Sequence, residues 1–400
     1  MENLEDMFKD SHRIFYKIEY APISVRNILI KMKNLASLMV GLAYYSVLYG
    51  DRKLAKEVHN LEELVDFLNL QLIMQASLAT RSANDAKRII SIFRLASAVD
   101  KISNAAADIA SVALVKGGSQ LVGSALLASK DVIARVKIRQ GSNIIGRSLK
   151  DVHKILDVAF DVIAVRRDMR WILEPKADYT LNLNDVLIVR GTLESIKALK
   201  EVAKDYEEYP RELEKPPKAI ITGLLKLKEV SELMVYLAYM SIMTKSIEIA
   251  KHVLSLEDYV DNLYVKYMVE SIRSSSDISS EDLVSLLRIA TATEMIADAA
   301  AEMAEIIIRG LEPHPILSDV LQEGLERILI IKAPKSLDGL KIGDLKLSNY
   351  SAFILAIKRN NEWIINPSND EVVQGDDVLL IRCYEESRKQ VLEKLMVKGQ

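Results

Sequence analysis

Acidic side chains recur at four-residue spacing in segments whose apolar residues follow a helical period. Glu62 and Asp66 form one such pair, and Glu257 and Asp261 form a second. Residues four positions apart lie on one face of a helix, where like charges repel unless a cation or a basic group lies beside them. Hard metal ions prefer carboxylate oxygens of this kind. These positions therefore predict an acidic helix face with the chemistry of a metal site.

A third acidic row makes the same prediction on a later helix, where Glu294, Asp298 and Glu302 follow one another at four-residue steps. The equivalent positions of an earlier helix hold two carboxylates and one amide: Asp100, Asn104 and Asp108. The predicted metal ligands are Glu62, Asp66, Asp100, Asp108, Glu257, Asp261, Glu294, Asp298 and Glu302. The alternative is a solvated acidic face, or ion pairs with the basic residues Arg94, Lys101 and Arg288.

A long internal repeat sets the arrangement of these helices. Residues 162–175 match residues 354–367 at an offset of 192 positions, and each copy holds one of the chain's two tryptophans, Trp171 and Trp363. The helical pair Leu61-Glu62 recurs 195 positions later. Matches at nearly constant spacing indicate that the chain consists of two duplicated halves. We interpret the tryptophans as packing anchors.

Helical periodicity predicts three long helices in each half, at 26–49, 51–78 and 84–115 and again at 218–244, 246–273 and 279–309. The run from Asn34 to Gly50 carries no charge, but its Ser, Gly and Tyr residues favour a helix buried in a bundle or against a partner over a membrane span. Pro313 and Pro315 end the second bundle, and a connecting helix is predicted at 318–326.

Each half ends in a β region, at 133–189 and 327–382, with a hairpin around each tryptophan. The predicted fold class is therefore α+β multidomain, with two three-helix bundles alternating with two small α+β modules. The predicted boundaries are bundle 1 at 1–118, module 1 at 119–205, a linker at 206–217, bundle 2 at 218–312 and module 2 at 313–400.

Composition argues against several function classes. The net charge is −3, from 53 basic and 56 acidic residues, so the chain as a whole has no electrostatic attraction to nucleic acid. The single cysteine, Cys383, excludes an intrachain disulfide and fits a reducing cytoplasm. The chain has no Gly-x-Gly-x-x-Gly or Walker A motif, five scattered histidines and no recognisable nucleophile elbow. These features predict a protein that is not an enzyme and that spans no membrane.

The β modules resemble the RCK_C module, also called TrkA-C, of potassium-conductance regulators. The first copy carries Gly146-Arg-Ser148-Leu149, an apolar strand that ends at Arg166, Pro175 and Asn184-Asp185. The second copy carries Gly339, Leu345, Ile354–Lys358, Pro367 and Gly375-Asp376. The helical segments resemble PhoU-like three-helix bundles through residues 288–302, Arg-Ile-Ala-Thr-Ala-Thr-Glu-Met-Ile-Ala-Asp-Ala-Ala-Ala-Glu.

These resemblances imply two kinds of site. In PhoU proteins, similar Glu/Asp-x-x-x-Asp motifs hold metal clusters on the bundle surface, which implies a divalent or iron-type metal here. RCK_C modules pair two-fold, and in several families cyclic di-AMP lies across the pair. Carried to this chain, the ligand-binding set is His153, Lys154, Asp161, Val162, Ile163, Arg166, Arg167, Lys346, Leu347, Phe353, Ile354, Lys358 and Arg359.

Asp161 and Phe353 depart from the asparagine that often precedes the apolar strand of the family. The alternative for the whole set is that its basic residues are exposed hairpin residues and its apolar residues are core.

The leading hypothesis is a cytoplasmic regulatory protein that binds a small anionic nucleotide, cyclic di-AMP, through paired RCK_C modules. Its expected partner is a potassium or other cation transporter or a channel subunit, and its expected state is a homodimer. One alternative is a PhoU-like, metal-binding regulator of phosphate uptake. Another is a scaffold that binds neither ligand and dimerises through its bundles.

Overall fold

The computed structural model of the chain describes residues 20–396 except 116–131, 157, 159, 169, 174, 207–217, 277, 324–325, 351, 361, 366 and 385–386. The predicted linker at 206–217 lies almost wholly outside these described residues. The predicted domain boundaries near residues 118 and 119 also lie outside them.

Three long helices form the first bundle: α1 (Val25–Tyr49), α2 (Arg52–Ala79) and α3 (Ala83–Val112). Their N-cap side chains, Ser24, Asp51 and Ser82, accept hydrogen bonds from amides of the first turn. Gly50 ends α1 at φ 62°, a left-handed conformation that glycine adopts without strain. The uncharged part of α1, from Asn34 to Tyr49, is buried along most of its length, which confirms the prediction of a buried helix. Of the helices described, none is long and apolar enough to cross a membrane.

The first module is a four-stranded antiparallel sheet with two short helices. Its elements are β1 (Val132–Lys137), α4 (Leu149–Leu156), β2 (Phe160–Arg167), β3 (Arg170–Leu173), β4 (Val186–Gly191) and α5 (Leu193–Ala203). The strand order is β1-β4-β2-β3, and the predicted hairpin is β2-β3. A register shift between Val162 and Ala164 bends β2 against β4.

The second half repeats this order. Its elements are α6 (Lys218–Thr244), α7 (Ile247–Arg273), α8 (Ser280–Ile308), α9 (Pro315–Gln322), β5 (Glu326–Lys332), β6 (Phe353–Arg359), β7 (Glu362–Ile365), β8 (Val378–Tyr384) and α10 (Arg388–Met396). The sheet order β5-β8-β6-β7 and a register shift between Ile354 and Ala356 reproduce the first module.

The predicted position of the connecting helix is wrong by about one turn. Helix α9 begins at Pro315 and ends at Gln322, whereas the sequence suggested residues 318–326. Proline fits the first helical position, where no amide hydrogen is needed, so Pro315 begins the connecting helix instead of preceding it. The Nδ1 atom of His314 caps it by accepting from the Ile316 amide at 3.2 Å.

One continuous hydrophobic core joins the two bundles to one face of each sheet. Helices α3 and α8 pack against each other, and Ile163 and Leu380 enter the same core from the first and second sheet. The other face of each sheet covers a small core of its own module. Trp171 and Trp363 pack at the edge of the shared core, as packing anchors should.

Candidate metal and ligand sites

Three carboxylates of the second bundle converge between neighbouring helices. Asp261 extends from α7, and Glu294 and Asp298 extend from successive turns of α8. One oxygen from each lies within 4.8 Å of the others. Among the described residues this is the one group of three acidic, histidine or cysteine side chains that is close enough to share a metal ion. Three carboxylate oxygens suit a hard divalent cation.

The ionisation of these groups reflects their crowding. Burial, followed by the negative charges of Asp298, Asp261 and Glu257, raises the pKa of Glu294 to about 7. Burial and the charge of Asp261 also raise the pKa of Asp298, while Lys101 lowers it. The cluster thus prefers a proton, or another source of positive charge, to full ionisation.

Glu302, the third member of this row, has a different partner. Its carboxylate forms an ion pair with Lys101 of α3, so it joins the two bundles. One turn later, Glu305 lies 3.4 Å from Arg94 of α3. Ion pairing with a basic residue, the alternative to metal binding, therefore applies to Glu302. Asp261, Glu294 and Asp298 remain close enough together to share a metal ion.

The equivalent carboxylates of the first bundle form a weaker cluster. Burial, the charge of Asp66 and a hydrogen bond with Asp66 raise the pKa of Asp100 to about 6. Burial, Asp66, Asp100 and Asp108 are among the causes that raise the pKa of Glu62. Asn104 stands where the second bundle has Asp298. The first cluster therefore has one carboxylate fewer.

The predicted ligand residues Arg167 and Arg359 are bound within their own modules. Arg167 donates two hydrogen bonds to the buried carboxylate of Asp185, at 2.8 and 2.7 Å. Arg359 donates to Asp377 at 3.0 and 2.9 Å. Each guanidinium also donates at 2.7 Å to a backbone carbonyl, that of Thr180 or of Val372. These two arginines hold the turn before the last strand.

The other predicted basic residues lie in several surroundings. Arg166 forms an ion pair with Asp51 at 3.5 Å, and Lys358 lies 5.4 Å from the Trp363 ring centroid. Lys154 is exposed beside Asp151, and Lys346 is exposed in a left-handed turn at φ 50°.

The one histidine of this predicted set, His153, is packed against an aromatic ring. The ring of His153 stacks on that of Phe160 at 4.1 Å, and burial lowers the pKa of His153 to about 4.

The remaining predicted ligand residues lie in two kinds of environment. Val162 lies in the core of the first module, and Leu347 and Ile354 lie in that of the second. Asp161 and Ile163 instead line a cavity between the sheets and helices α1 and α6. Of the thirteen predicted ligand residues, Asp161 and Ile163 are the two that line this cavity. The ring centroid of Phe353 lies 5.8 Å from the guanidinium carbon of Arg382, which also lines the cavity.

The sequence reasoning missed the four basic residues that line this cavity: Lys33, Arg190, Lys228 and Arg382. Lys33 and Lys228 are separated by the helical repeat offset of 195, and Arg190 and Arg382 by the module offset of 192. A search for basic residues that recur at the repeat spacing within apolar segments would have found both pairs.

Comparison with protein families now identifies the four domains. The PhoU domain matches residues 29–113 and 224–307, and the TrkA-C domain matches residues 133–204 and 327–396. The chain is a tandem PhoU/TrkA-C protein. This result confirms both the resemblance and the fold class that the sequence predicted. PhoU and TrkA-C are families of regulatory domains, and together they support a regulatory role linked to phosphate or potassium transport.

Several solved structures resemble the tandem PhoU/TrkA-C chain. PhoU from Pseudomonas aeruginosa has 16% identity and a TM-score of 0.40, covering 72% of this chain and 96% of its own. PhoU from Streptococcus pneumoniae, the phosphate transport system regulatory protein, has 12% identity and a TM-score of 0.41, covering 71% and 91%. The GsuK RCK domain has 13% identity and a TM-score of 0.18, covering 67% and 64%. No curated protein matches the chain.

Proposed function

We propose that this protein regulates ion transport in response to a divalent metal ion bound by its second PhoU domain. The observation that supports this function is the convergence of Asp261, Glu294 and Asp298 within 4.8 Å. Mutual repulsion makes three ionised carboxylates at this separation costly, and a divalent cation would remove that cost.

Magnesium, manganese or ferrous ions suit the cluster better than a thiophilic metal, because all three ligand atoms are oxygens. The metal would bind the deprotonated carboxylates and release the proton that Glu294 retains near neutral pH. Glu257 would contribute to the same negative field, since its pKa is raised by burial, Asp298 and Asp261.

Calorimetric titration of the chelator-treated chain with Mn²⁺ tests this function, together with elemental analysis of the protein as purified. We expect about one strong site per chain, weakened at least tenfold in Asp298→Ala. Glu281→Ala is the matched control, because Glu281 is an exposed carboxylate in the first turn of the same helix. Absence of binding, or equal weakening by the two substitutions, would contradict the proposal.

A second candidate function is binding of cyclic di-AMP by the two TrkA-C domains. One observation favours it: the duplicated domains meet within a single chain, where Arg190 of β4 lies 5.3 Å from the ring centroid of Tyr384 in β8. A ligand with two equivalent halves suits two equivalent domains in contact. Arg166 and Lys358 are the equivalent basic residues that we assign to its phosphates.

Titration with cyclic di-AMP in the presence of a chelator tests this candidate separately from the metal site. Arg166→Ala and Lys358→Ala should each weaken binding about tenfold, and Lys176→Ala, an exposed lysine of the first module, should not. Binding that survives both substitutions unchanged would exclude the assigned residues. No heat with the dinucleotide would exclude the candidate.

In both versions of the function the protein acts without catalysis, in the cytoplasm, as a homodimer that contacts a cation or phosphate transporter. The regulatory character of both domain families supports the first part of this statement. Light scattering coupled to size-exclusion chromatography checks the dimer, for which we expect twice the chain mass of 44.9 kDa.

A further inference from the structure

A second cavity, of about 230 Å³, lies where the first bundle meets the connecting helix α9. The start of α1, the last turns of α2, the first three turns of α3 and the start of α9 form its walls. None of its lining residues belongs to the acidic cluster or to the cavity between the sheets. It is therefore a separate site, and it joins the first half of the chain to a helix of the second.

Apolar side chains form most of this lining. Ile89 and Ile92 of α3 are 8% and 3% exposed, and Ile316 of α9 joins them from the second half of the chain. Ala76 and Ala79 have short side chains, which leaves room beside α2. An engineered apolar cavity of about 150 Å³ in another protein accommodates benzene, so this cavity has room for a body of about six carbon atoms.

One cationic side chain lines the cavity, the guanidinium of Arg88 on α3. Within the part of the chain that the structure describes, this guanidinium forms no ion pair and no hydrogen bond. A guanidinium presents its N–H donors in a planar fork that matches the two oxygens of a carboxylate. Arg88 is thus available to bind an anion inside the cavity.

The one carboxylate of the lining, Asp85, already has partners at the start of α3. Its Oδ2 atom accepts hydrogen bonds from the Ser82 hydroxyl at 2.9 Å and from the Arg81 amide at 3.3 Å. These hydrogen bonds, that of Ser82 foremost, lower the pKa of Asp85, and the charge of Arg88 contributes to the same lowering. Asp85 therefore stabilises the first turn of its own helix, where a negative charge is favourable.

His314 supplies a second hydrogen-bond donor to the lining. Its Nδ1 atom accepts from the Ile316 amide at 3.2 Å, so the neutral ring carries its hydrogen on Nε2. Burial, followed by the charge of Arg88, lowers the pKa of His314, which favours this neutral form. The backbone amide of His314 donates to Ser91 Oγ at 3.0 Å, and this bond holds the residue against α3.

We propose that this cavity binds a small apolar monocarboxylate, with its carboxylate near Arg88 and His314 and its hydrocarbon body against the isoleucines. A mostly apolar pocket with a few converging polar groups is the usual form of a small-molecule site. The bound molecule would connect α3 of the first PhoU domain to α9, which leads into the second TrkA-C domain. The proposal goes beyond the metal site and does not depend on cyclic di-AMP.

Calorimetric titration of the full chain with hexanoate, in the presence of a chelator, tests the proposal. We expect one molecule of hexanoate per chain. Acetate has the same charge without the hydrocarbon body, and 1-hexanol has the same body without the charge. Each of these should bind more weakly by about tenfold or more. Equal affinities for hexanoate and 1-hexanol would contradict the role of Arg88.

Substitutions of charged residues separate the cavity from surface charge effects. Arg88→Gln should weaken hexanoate binding about tenfold, whereas Lys87→Gln, which removes the same charge from an exposed neighbour outside the lining, should not. Asp85→Asn should strengthen binding several-fold, because it removes the one negative charge of the lining. An effect in this opposite direction cannot come from unfolding.

A second matched pair tests the space inside the cavity. Ala79→Leu places a longer side chain in the lining and should weaken hexanoate binding about tenfold or more. Ala83→Leu is the control, because Ala83 is exposed and lies outside the lining.

The inference is overturned by absence of hexanoate binding, by equal loss within either matched pair, or by weaker binding in Asp85→Asn. Asp298→Ala and Arg166→Ala lie outside this lining and should leave hexanoate binding unchanged. Failure of this site is therefore distinguishable from failure of the metal site or of cyclic di-AMP binding.

Discussion

The guanidinium carbon of Arg190 lies 5.3 Å from the ring centroid of Tyr384, and that of Arg382 lies 5.2 Å from the same ring. The two arginines occupy equivalent positions of the duplicated TrkA-C domains. One tyrosine of the second domain therefore contacts both copies of a repeated basic residue. Tyr384 is fully buried, so this contact fixes how the two domains approach each other within the chain.

Replacing Glu294 by glutamine is expected to stabilise the metal-free protein at high pH. The pKa of Glu294 is raised to about 7, above its unfolded value of about 4.5, so the folded state holds this proton more strongly. Its stabilising contribution is complete below about pH 4.5 and is lost as the pH rises through 7. Because the group is half-buried, we expect Glu294→Gln to gain only about 1 kcal/mol at pH 8.

Urea unfolding in the presence of a chelator at pH 4 and pH 8 measures this effect. The variant and the parent chain should have similar unfolding free energies at pH 4 and differ at pH 8. A glutamine variant that is less stable at pH 8 would show that repulsion among these carboxylates is unimportant.

Asn104→Asp should give the first PhoU domain the carboxylate that the second domain has at Asp298. Together with Asp66 and Asp100, it would form a second group of three oxygen ligands. We expect metal stoichiometry to rise from about one to about two per chain in Mn²⁺ titration. The same titration of Asn104→Ala serves as the control and should show no additional site.

His153 should make the protein less stable in mild acid. Burial lowers its pKa to about 4, below an unfolded value of 6.5, so the unfolded state binds more protons between these values. This stabilising contribution is therefore complete above about pH 6.5 and falls as the pH is lowered toward 4, by about 3 kcal/mol for this residue. His153→Phe keeps an aromatic ring beside Phe160 and should remove this part of the pH dependence.

Thermal unfolding between pH 7 and pH 4 compares the two chains. A His153→Phe curve parallel to that of the parent would mean that other groups cause the acid sensitivity.

Arg167→Ala should destabilise the first TrkA-C domain by about 2–4 kcal/mol, because it leaves the carboxylate of Asp185, 1% exposed, without its ion pair. Arg359→Ala should have a similar effect through Asp377. Arg166→Ala provides the comparison, since its single ion pair with Asp51 is longer and partly exposed, and its loss should cost at most about 1 kcal/mol. Chemical denaturation of the three variants measures the difference, and equal losses would contradict it.

The order of domains was predictable because it rests on local patterns and on a repeat that needs no tertiary information. The acidic rows were predictable for the same reason, since four-residue spacing alone places Glu294 and Asp298 on one helix face. Which carboxylates converge depends on how α7 lies against α8. It also depends on Lys101, which reaches from the other bundle to pair with Glu302.

The ligand-binding residues were harder to predict, because an arginine of these strands can either pair with a carboxylate of its own module or reach a neighbouring element. Arg166 and Arg167 are neighbours on β2, but Arg167 holds Asp185 while Arg166 reaches α2's N-cap, Asp51. The cavity lysines escaped notice because Lys33 and Lys228 flank apolar runs, as lysines at the ends of ordinary buried helices also do. Their common burial arises only from the packing of one half against the other.

The shared core of the two bundles has a consequence for the independence of the two halves. Neither half encloses its apolar faces by itself, so we expect a polypeptide of half this length to bury them only by associating with a second copy. Within the present chain the covalent connection holds each half beside the other at high effective concentration. The two halves nevertheless differ in the residues that could bind metal, since Asn104 occupies the position equivalent to Asp298.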